Sequence, residues 1–152
     1  MHRLKGYSGF TGGLDRDNDE DGKFALIWTD FFSEICFQVS TYIPYSEAYP
    51  SFENRFRHIG NNSIVVFFSE NPLVDFVEIQ SRATVAEIIV QVIDSEMFKV
   101  FVRTLPGAVD TSTVKLFGPL FDGQLVNKQS LAILLRFTIV SINVSHPCFP
   151  PV

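Results

Sequence analysis

The apolar run Ile64-Val65-Val66-Phe67-Phe68 is the tightest constraint on what this chain can fold into. It is too short for a helix, and its β-branched and aromatic side chains suit a pleated surface, so it reads as a strand placed centrally in a sheet. It follows almost directly on the polar stretch Arg57-His58-Ile59-Gly60-Asn61-Asn62, which sets side chains able to polarise water beside a rigid element. Residues 52 to 61 read as a short helix. At about 100° per residue, Phe52, Phe56 and Ile59 share one stripe, while Asn54, His58 and Asn61 project from the opposite face with Arg57 at its edge. The expectation is a helix docked on a core by its phenylalanines, with an amide and an imidazole held outward.

The rest of the chain is organised by turns. The opening to Gly22 is glycine-rich and then acidic, as a loop or irregular edge would be. Residues 23 to 29 and 34 to 42 read as a hairpin joined by Asp30-Phe31-Phe32-Ser33. Val85 to Ile93 and Phe98 to Leu105 form a second hairpin around Asp94-Ser95-Glu96, with Lys99 and Arg103 on its wetter face and Pro106-Gly107 closing it. Asn127 is placed to cap a helix running to about Asn143, with Leu131, Leu134, Leu135 and Thr138 near one stripe. The 16 phenylalanines add to a strand-rich interior. The fold class that follows is α/β, a mixed and largely antiparallel central sheet flanked by helices.

Composition removes several functions. A net charge of -5, from 12 basic and 17 acidic residues, argues against a nucleic-acid binder. Cys36 and Cys148 make neither a disulfide framework nor a metal spacing, which reads as free thiols in an intracellular protein. His2, His58 and His146 form no ligand set, so no metal is expected. No apolar stretch reaches the length of a membrane span, and the start has no apolar leader core, so membrane insertion is not expected and a cytoplasmic location is. Asp17-Asn18-Asp19-Glu20-Asp21-Gly22 imitates the start of a calcium loop, but its twelfth position is Trp28, and an acidic hairpin loop is expected instead. Gly9-Phe10-Thr11-Gly12-Gly13 lacks the Lys-Ser/Thr of a phosphate loop, so the chain itself is not expected to bind nucleotide. On the residues alone, the plain role of Asn61 is to end a helix after Gly60, since Asn tolerates the left-handed conformation.

Taken with Phe37-Gln38-Val39-Ser40-Thr41-Tyr42-Ile43-Pro44-Tyr45-Ser46-Glu47, the hexapeptide Arg57 to Asn62 resembles the catalytic core of the Rap GTPase-activating-protein domain, the module of tuberin and the Ral GTPase-activating protein alpha subunits. Three further blocks resemble that family in the same order: Gly9 to Leu14, Asp21 to Trp28, and Phe117 to Gly123. The resemblance implies one such domain over residues 1–152, abbreviated at its N-terminal side, with the same α/β arrangement. It implies that Asn61 is the catalytic asparagine, which enters a partner GTPase and orients the attacking water, and that His58 supports it by bracing the asparagine or touching the partner. Because the family uses an asparagine where other activators use an arginine, Arg55 and Arg57 are assigned to docking, with Asn54 and Asn62 beside them. The chain departs from the family pattern at Phe56, where a basic residue is common, and at Asn62, which replaces an aspartate.

The implied partner is a Ras-superfamily small GTPase of Rap, Ral or Rheb type, and a regulatory subunit is a second. No cofactor belongs to this chain, since GTP and Mg²⁺ are the partner's. The alternative function is a non-catalytic interaction subunit of a GTPase-activating complex.

Overall fold

The computed structural model describes residues 1–44, 53–71, 83–105 and 118–145. Phe52, the Tyr45-Ser46-Glu47 end of the first block, the Pro106-Gly107 turn, Phe117, His146 and Cys148 lie outside the described residues. Two compact units divide the chain, Met1–Asn61 and Asn62–Val152.

In the first unit, β1 (His2–Arg3), β2 (Phe24–Thr29) and β3 (Glu34–Phe37) form an antiparallel sheet in the order β1-β2-β3. Alternation along β2 turns Ala25 and Ile27 inward and leaves Phe24 and Leu26 exposed, as a strand with one covered face requires. Ala25 and Ile27 pack with Leu4 and Leu14 into a small core, lined further by Tyr7 and Cys36. Burial pushes the Cys36 thiol up to about 11, and its Sγ donates to the Thr11 carbonyl oxygen at 3.3 Å, so it serves packing rather than thiolate chemistry.

The hairpin turn is closed by Asp30, whose Oδ1 accepts the backbone N–H groups of Phe32 at 2.8 Å and Ser33 at 2.7 Å. The second strand is shorter than the expected 34 to 42. After Phe37 the chain leaves the ladder, because Gln38 donates sideways to the Gly12 carbonyl at 2.7 Å and Tyr42 N–H turns back to Val39 O at 2.9 Å. Helix α1 (Glu53–Ile59) completes the unit.

In the second unit, β4 (Ile64–Ser69), β5 (Ala86–Val92), β6 (Met97–Thr104) and β7 (Gln124–Asn127) form a sheet in that order. Its direction is mixed, with β4 parallel to β5 and the other pairs antiparallel. The expected second hairpin is β5 and β6, and its turn repeats the device of the first, since Asp94 Oδ1 accepts from Glu96 N and Met97 N, each at 2.8 Å.

Among the described residues the run paired on both sides is β5, not the Ile64–Phe68 run. Residues Ala86 to Val90 are buried in succession, whereas β4 stands at one end of the described strand order and leaves Val66 and Phe68 exposed. A continuous apolar run suits strand pairing on chemistry alone, and which run is flanked on both sides depends on partners distant in sequence.

Helix α2 (Lys128–Ser145) begins where Asn127 Oδ1 accepts Ser130 N–H at 2.9 Å, the cap the sequence indicates. It packs on β6 and β7, with Thr138, Ile139 and Ile142 buried. The Thr138 hydroxyl accepts Leu120 N–H at 3.1 Å and donates to Leu134 O at 2.9 Å, which explains a polar residue on a buried stripe. The α/β class and the mixed, largely antiparallel pairing are both present, with the described strands divided between two sheets. No helix among the described residues is long and apolar enough to cross a membrane.

Candidate functional site

The site is built from α1 and the N-terminal loop, both in the first unit. Asp15 organises the loop by accepting three backbone N–H groups, those of Asp17 at 3.0 Å, Asn18 at 2.8 Å and Glu20 at 3.1 Å. These bonds favour the ionised carboxylate and hold its pKa below the ordinary value. Asp19 takes a left-handed conformation with φ of 59°, and Gly22 follows at φ of 103°. A Cβ on Gly22 would meet the Tyr42 carbonyl oxygen at 2.4 Å, so only glycine admits this approach. Between those two positions the loop delivers Asp21 inward, where the residue is 3% exposed.

Among the described residues, four groups converge on that carboxylate. Asp15 N–H donates to Oδ2 at 2.8 Å; on Oδ1, His58 Nε2 lies at 2.7 Å, Asn54 Nδ2 at 3.3 Å and Arg57 Nη2 at 3.5 Å. Burial opposes ionisation of Asp21, but the Asp15 N–H and then the His58 imidazole outweigh it, and the carboxyl lies below its ordinary value. With a carboxylate as acceptor, the short contact puts a proton on Nε2 of His58.

The inward face of α1 is therefore its polar one, opposite to the docking read from the sequence. His58 is 8% exposed while Phe56 is 61% exposed, and Ile59 is half-buried. The reason is energetic. Arg57 and His58 follow Asn54 by about one helical turn, three and four residues on, so all three reach the same carboxylate, and a buried carboxylate without such partners costs several kcal/mol. Leaving one phenylalanine in water costs about 1.5–3 kcal/mol by comparison. The sequence had offered Asp21 only as a position in a calcium-like loop. Its one legible signal was its place at the head of the Asp21-to-Trp28 block.

Asn61 stands apart from this cluster. It is exposed, just past the helix end, where Gly60 N–H donates to Phe56 O at 2.7 Å and Asn61 N–H to His58 O at 3.3 Å. Asp19 is the one residue other than glycine with positive φ among the described residues, so Asn61 is not a left-handed cap. Its carboxamide offers a donor and an acceptor to solvent and does not titrate.

The remaining candidates separate. Arg55 turns to its own unit, its Nε donating to Ile43 O at 3.0 Å, whereas the Arg57 side chain is 64% exposed. Asn62 opens the second unit, its carbonyl accepting the Thr84 hydroxyl at 2.9 Å.

Known proteins bear on this arrangement. Ral GTPase-activating protein subunit alpha-2 of Mus musculus is 30% identical over 150 residues, which are 97% of this chain and 8% of that protein. GTPase-activating Rap/Ran-GAP domain-like protein 3 of Gallus gallus is 43% identical over 67 residues, 44% of this chain and 7% of its own length. Tuberous sclerosis 2 protein homolog of Schizosaccharomyces pombe is 39% identical over 83 residues, 53% of this chain and 6% of its own length. The chain thus spans 6 to 8% of the length of these curated relatives. In fold it is similar to a solved structure of the TSC2 GAP domain, with a TM-score of 0.72 at 24% identity over 95% of this chain and 78% of the other. The Rap/ran-GAP family model matches residues 1–149, and the chain belongs to that family.

Proposed function

We propose that this chain is a GTPase-activating domain that stimulates GTP hydrolysis by a small GTPase of Rap, Ral or Rheb type, with the Asn61 carboxamide entering the partner's active site. The observation that carries this reading is an exposed asparagine at the end of the His58-Ile59-Gly60-Asn61 motif in a chain of the Rap/ran-GAP family. Phosphoryl transfer asks little covalent chemistry of a protein and responds mainly to positioning and electrostatics. A carboxamide held beside the γ-phosphate supplies positioning, by holding the attacking water through its acceptor and donor at once.

In this reading the nucleotide and its Mg²⁺ are the partner's, and this chain adds no cofactor. Arg57 and Asn62 dock on the GTPase, and His58 acts from behind Asn61, since its imidazole is turned onto Asp21. The cytoplasm, where a trans-acting activator meets its GTPase, is the location we infer. Single-turnover hydrolysis with GTP-loaded Rap-, Ral- and Rheb-type GTPases tests the reading. Stimulation of at least one, lost in Asn61→Ala, is expected. Binding without stimulation would leave an interaction subunit, and neither binding nor stimulation would sink the proposal.

A further inference from the structure

We infer that Asp21 is a positioning residue for the end of α1 that carries Asn61. This role rests on the GTPase-activator reading, because positioning matters only if the Asn61 carboxamide acts on something.

The connection is short. The Asp21 carboxylate holds the His58 imidazole at 2.7 Å, and the His58 carbonyl holds Asn61 N–H at 3.3 Å, so one residue links the buried anchor to the exposed amide. An exposed side chain has no packing of its own to fix it, and its place is inherited from the backbone beneath. That backbone belongs to a helix of 7 residues, too short to be stable by itself.

Its anchors are therefore tertiary. Asn54 and Arg57 share Asp21 Oδ1 with His58, and Arg55 adds a second tether at Ile43 O, 3.0 Å away. The anchor is rigid on its other side as well. Asp15 N–H fixes Oδ2 at 2.8 Å, and the Gly22 backbone is pressed against the Tyr42 carbonyl. Asp21 never reaches a partner, being 3% exposed, so it touches no substrate and acts through His58. Arg16 braces the loop further, donating to the carbonyls of Tyr7 at 3.2 Å and Gly9 at 3.0 Å. A displacement of about 1 Å at a reacting group can cost about a hundredfold in rate, so loss of this anchor should appear in turnover.

The test compares wild type, Asp21→Asn and Ile27→Val. Asp21→Asn keeps the shape but removes the charge and sets an NH₂ donor among donors; Ile27→Val loosens the core of the same unit without touching the carboxylate. Two measurements are made on each: amide hydrogen exchange over residues 56–61, and saturated single-turnover stimulation of whichever GTP-loaded Rap-, Ral- or Rheb-type GTPase wild type activates. Asp21→Asn should raise exchange over residues 56–61 at least about tenfold over the change in β5, and lower the saturated rate about ten- to a hundredfold with partner affinity within about threefold. Ile27→Val should keep the saturated rate. Unchanged exchange at 56–61 in Asp21→Asn would overturn the anchoring, and a wild-type saturated rate would overturn the positioning role. Equal rate losses in both variants would also overturn it, by showing a general effect of stability. A wild-type chain that stimulates no GTPase would overturn the functional reading, while the exchange data would still decide whether Asp21 holds α1.

Discussion

His58 Nε2 and Asp21 Oδ1 lie 2.7 Å apart with side chains only 8% and 4% exposed, a buried polar contact between α1 and the N-terminal loop. A carboxylate withdrawn this far from water is stable only while its acceptor sites are filled, and the polar side of the helix fills them. Orientation of α1, exposure of Phe56 and projection of Asn61 all follow from that one requirement.

Acid should weaken the unit through Asp21. A carboxyl whose pKa is lowered by folding stabilises the folded state above its ordinary value of 3.8, and that stability is lost as pH falls through the lower folded value. The melting temperature of wild type should therefore drop more steeply than that of Asp21→Asn as pH falls below about 4. Asp15 is shifted in the same direction and adds to the slope of both proteins. Parallel curves would show that Asp21 is not the group responsible.

Asn61→Ala should barely disturb the fold, because the side chain is exposed and such substitutions alter stability by less than about 0.5 kcal/mol. Its effect belongs in the complex. Stimulated hydrolysis should fall by two or more orders of magnitude, about 3 kcal/mol of transition-state stabilisation, while binding to the GTP-loaded partner survives. Melting temperature, affinity and turnover measured on one preparation separate a cap, a docking group and a catalytic group.

Gly60→Ala should damage turnover without touching Asn61 chemically. A Cβ at position 60 would stand 2.8 Å from the Phe56 carbonyl oxygen, which already accepts Gly60 N–H at 2.7 Å. Relief requires the backbone to move, and Asn61 is the next residue. A loss of turnover of about tenfold or more is expected at nearly unchanged affinity. Wild-type turnover in this variant would show that the amide tolerates displacement.

Arg55 and Arg57 should divide in their effects. Arg55→Ala removes the bond to Ile43 O and should cost about 1 kcal/mol of stability. Arg57→Ala removes an exposed charge, so it should weaken association and lessen its salt dependence, with the saturated rate held within about tenfold. A fall of about a thousandfold at saturation would instead mark an arginine finger.

Gly22→Ala should be among the most destabilising single changes in the first unit. It imposes a side chain at φ of 103° and 2.4 Å from Tyr42 O, which calls for a loss of about 3 kcal/mol or more in a denaturant titration. Gly13→Ala has a similar φ of 87° but open space around its Cβ, and should cost about 1 kcal/mol. Equal losses would show that backbone strain alone governs both positions.

What the sequence determined by itself was local and near-neighbour in origin. Asp30 and Asp94 close their hairpins with their own carboxylates, Asn127 caps α2 with its own amide, and alternation chose the inward residues of β2. Each of these depends on atoms a few residues away, so composition and spacing carry the information. The same holds for the ordered blocks that mark the family.

The tertiary structure decided how the apolar runs paired, and which way α1 faced. Ile64–Phe68 and Ile88–Val90 are alike in chemistry, but only the second lies in a strand paired on both sides among the described residues. Helix α1 carries phenylalanine on one face and amide, guanidinium and imidazole on the other. Seven residues of periodicity cannot choose between them. The choice was made by Asp21, 33 residues before Asn54, because a buried carboxylate demands donors more strongly than a phenylalanine demands shelter.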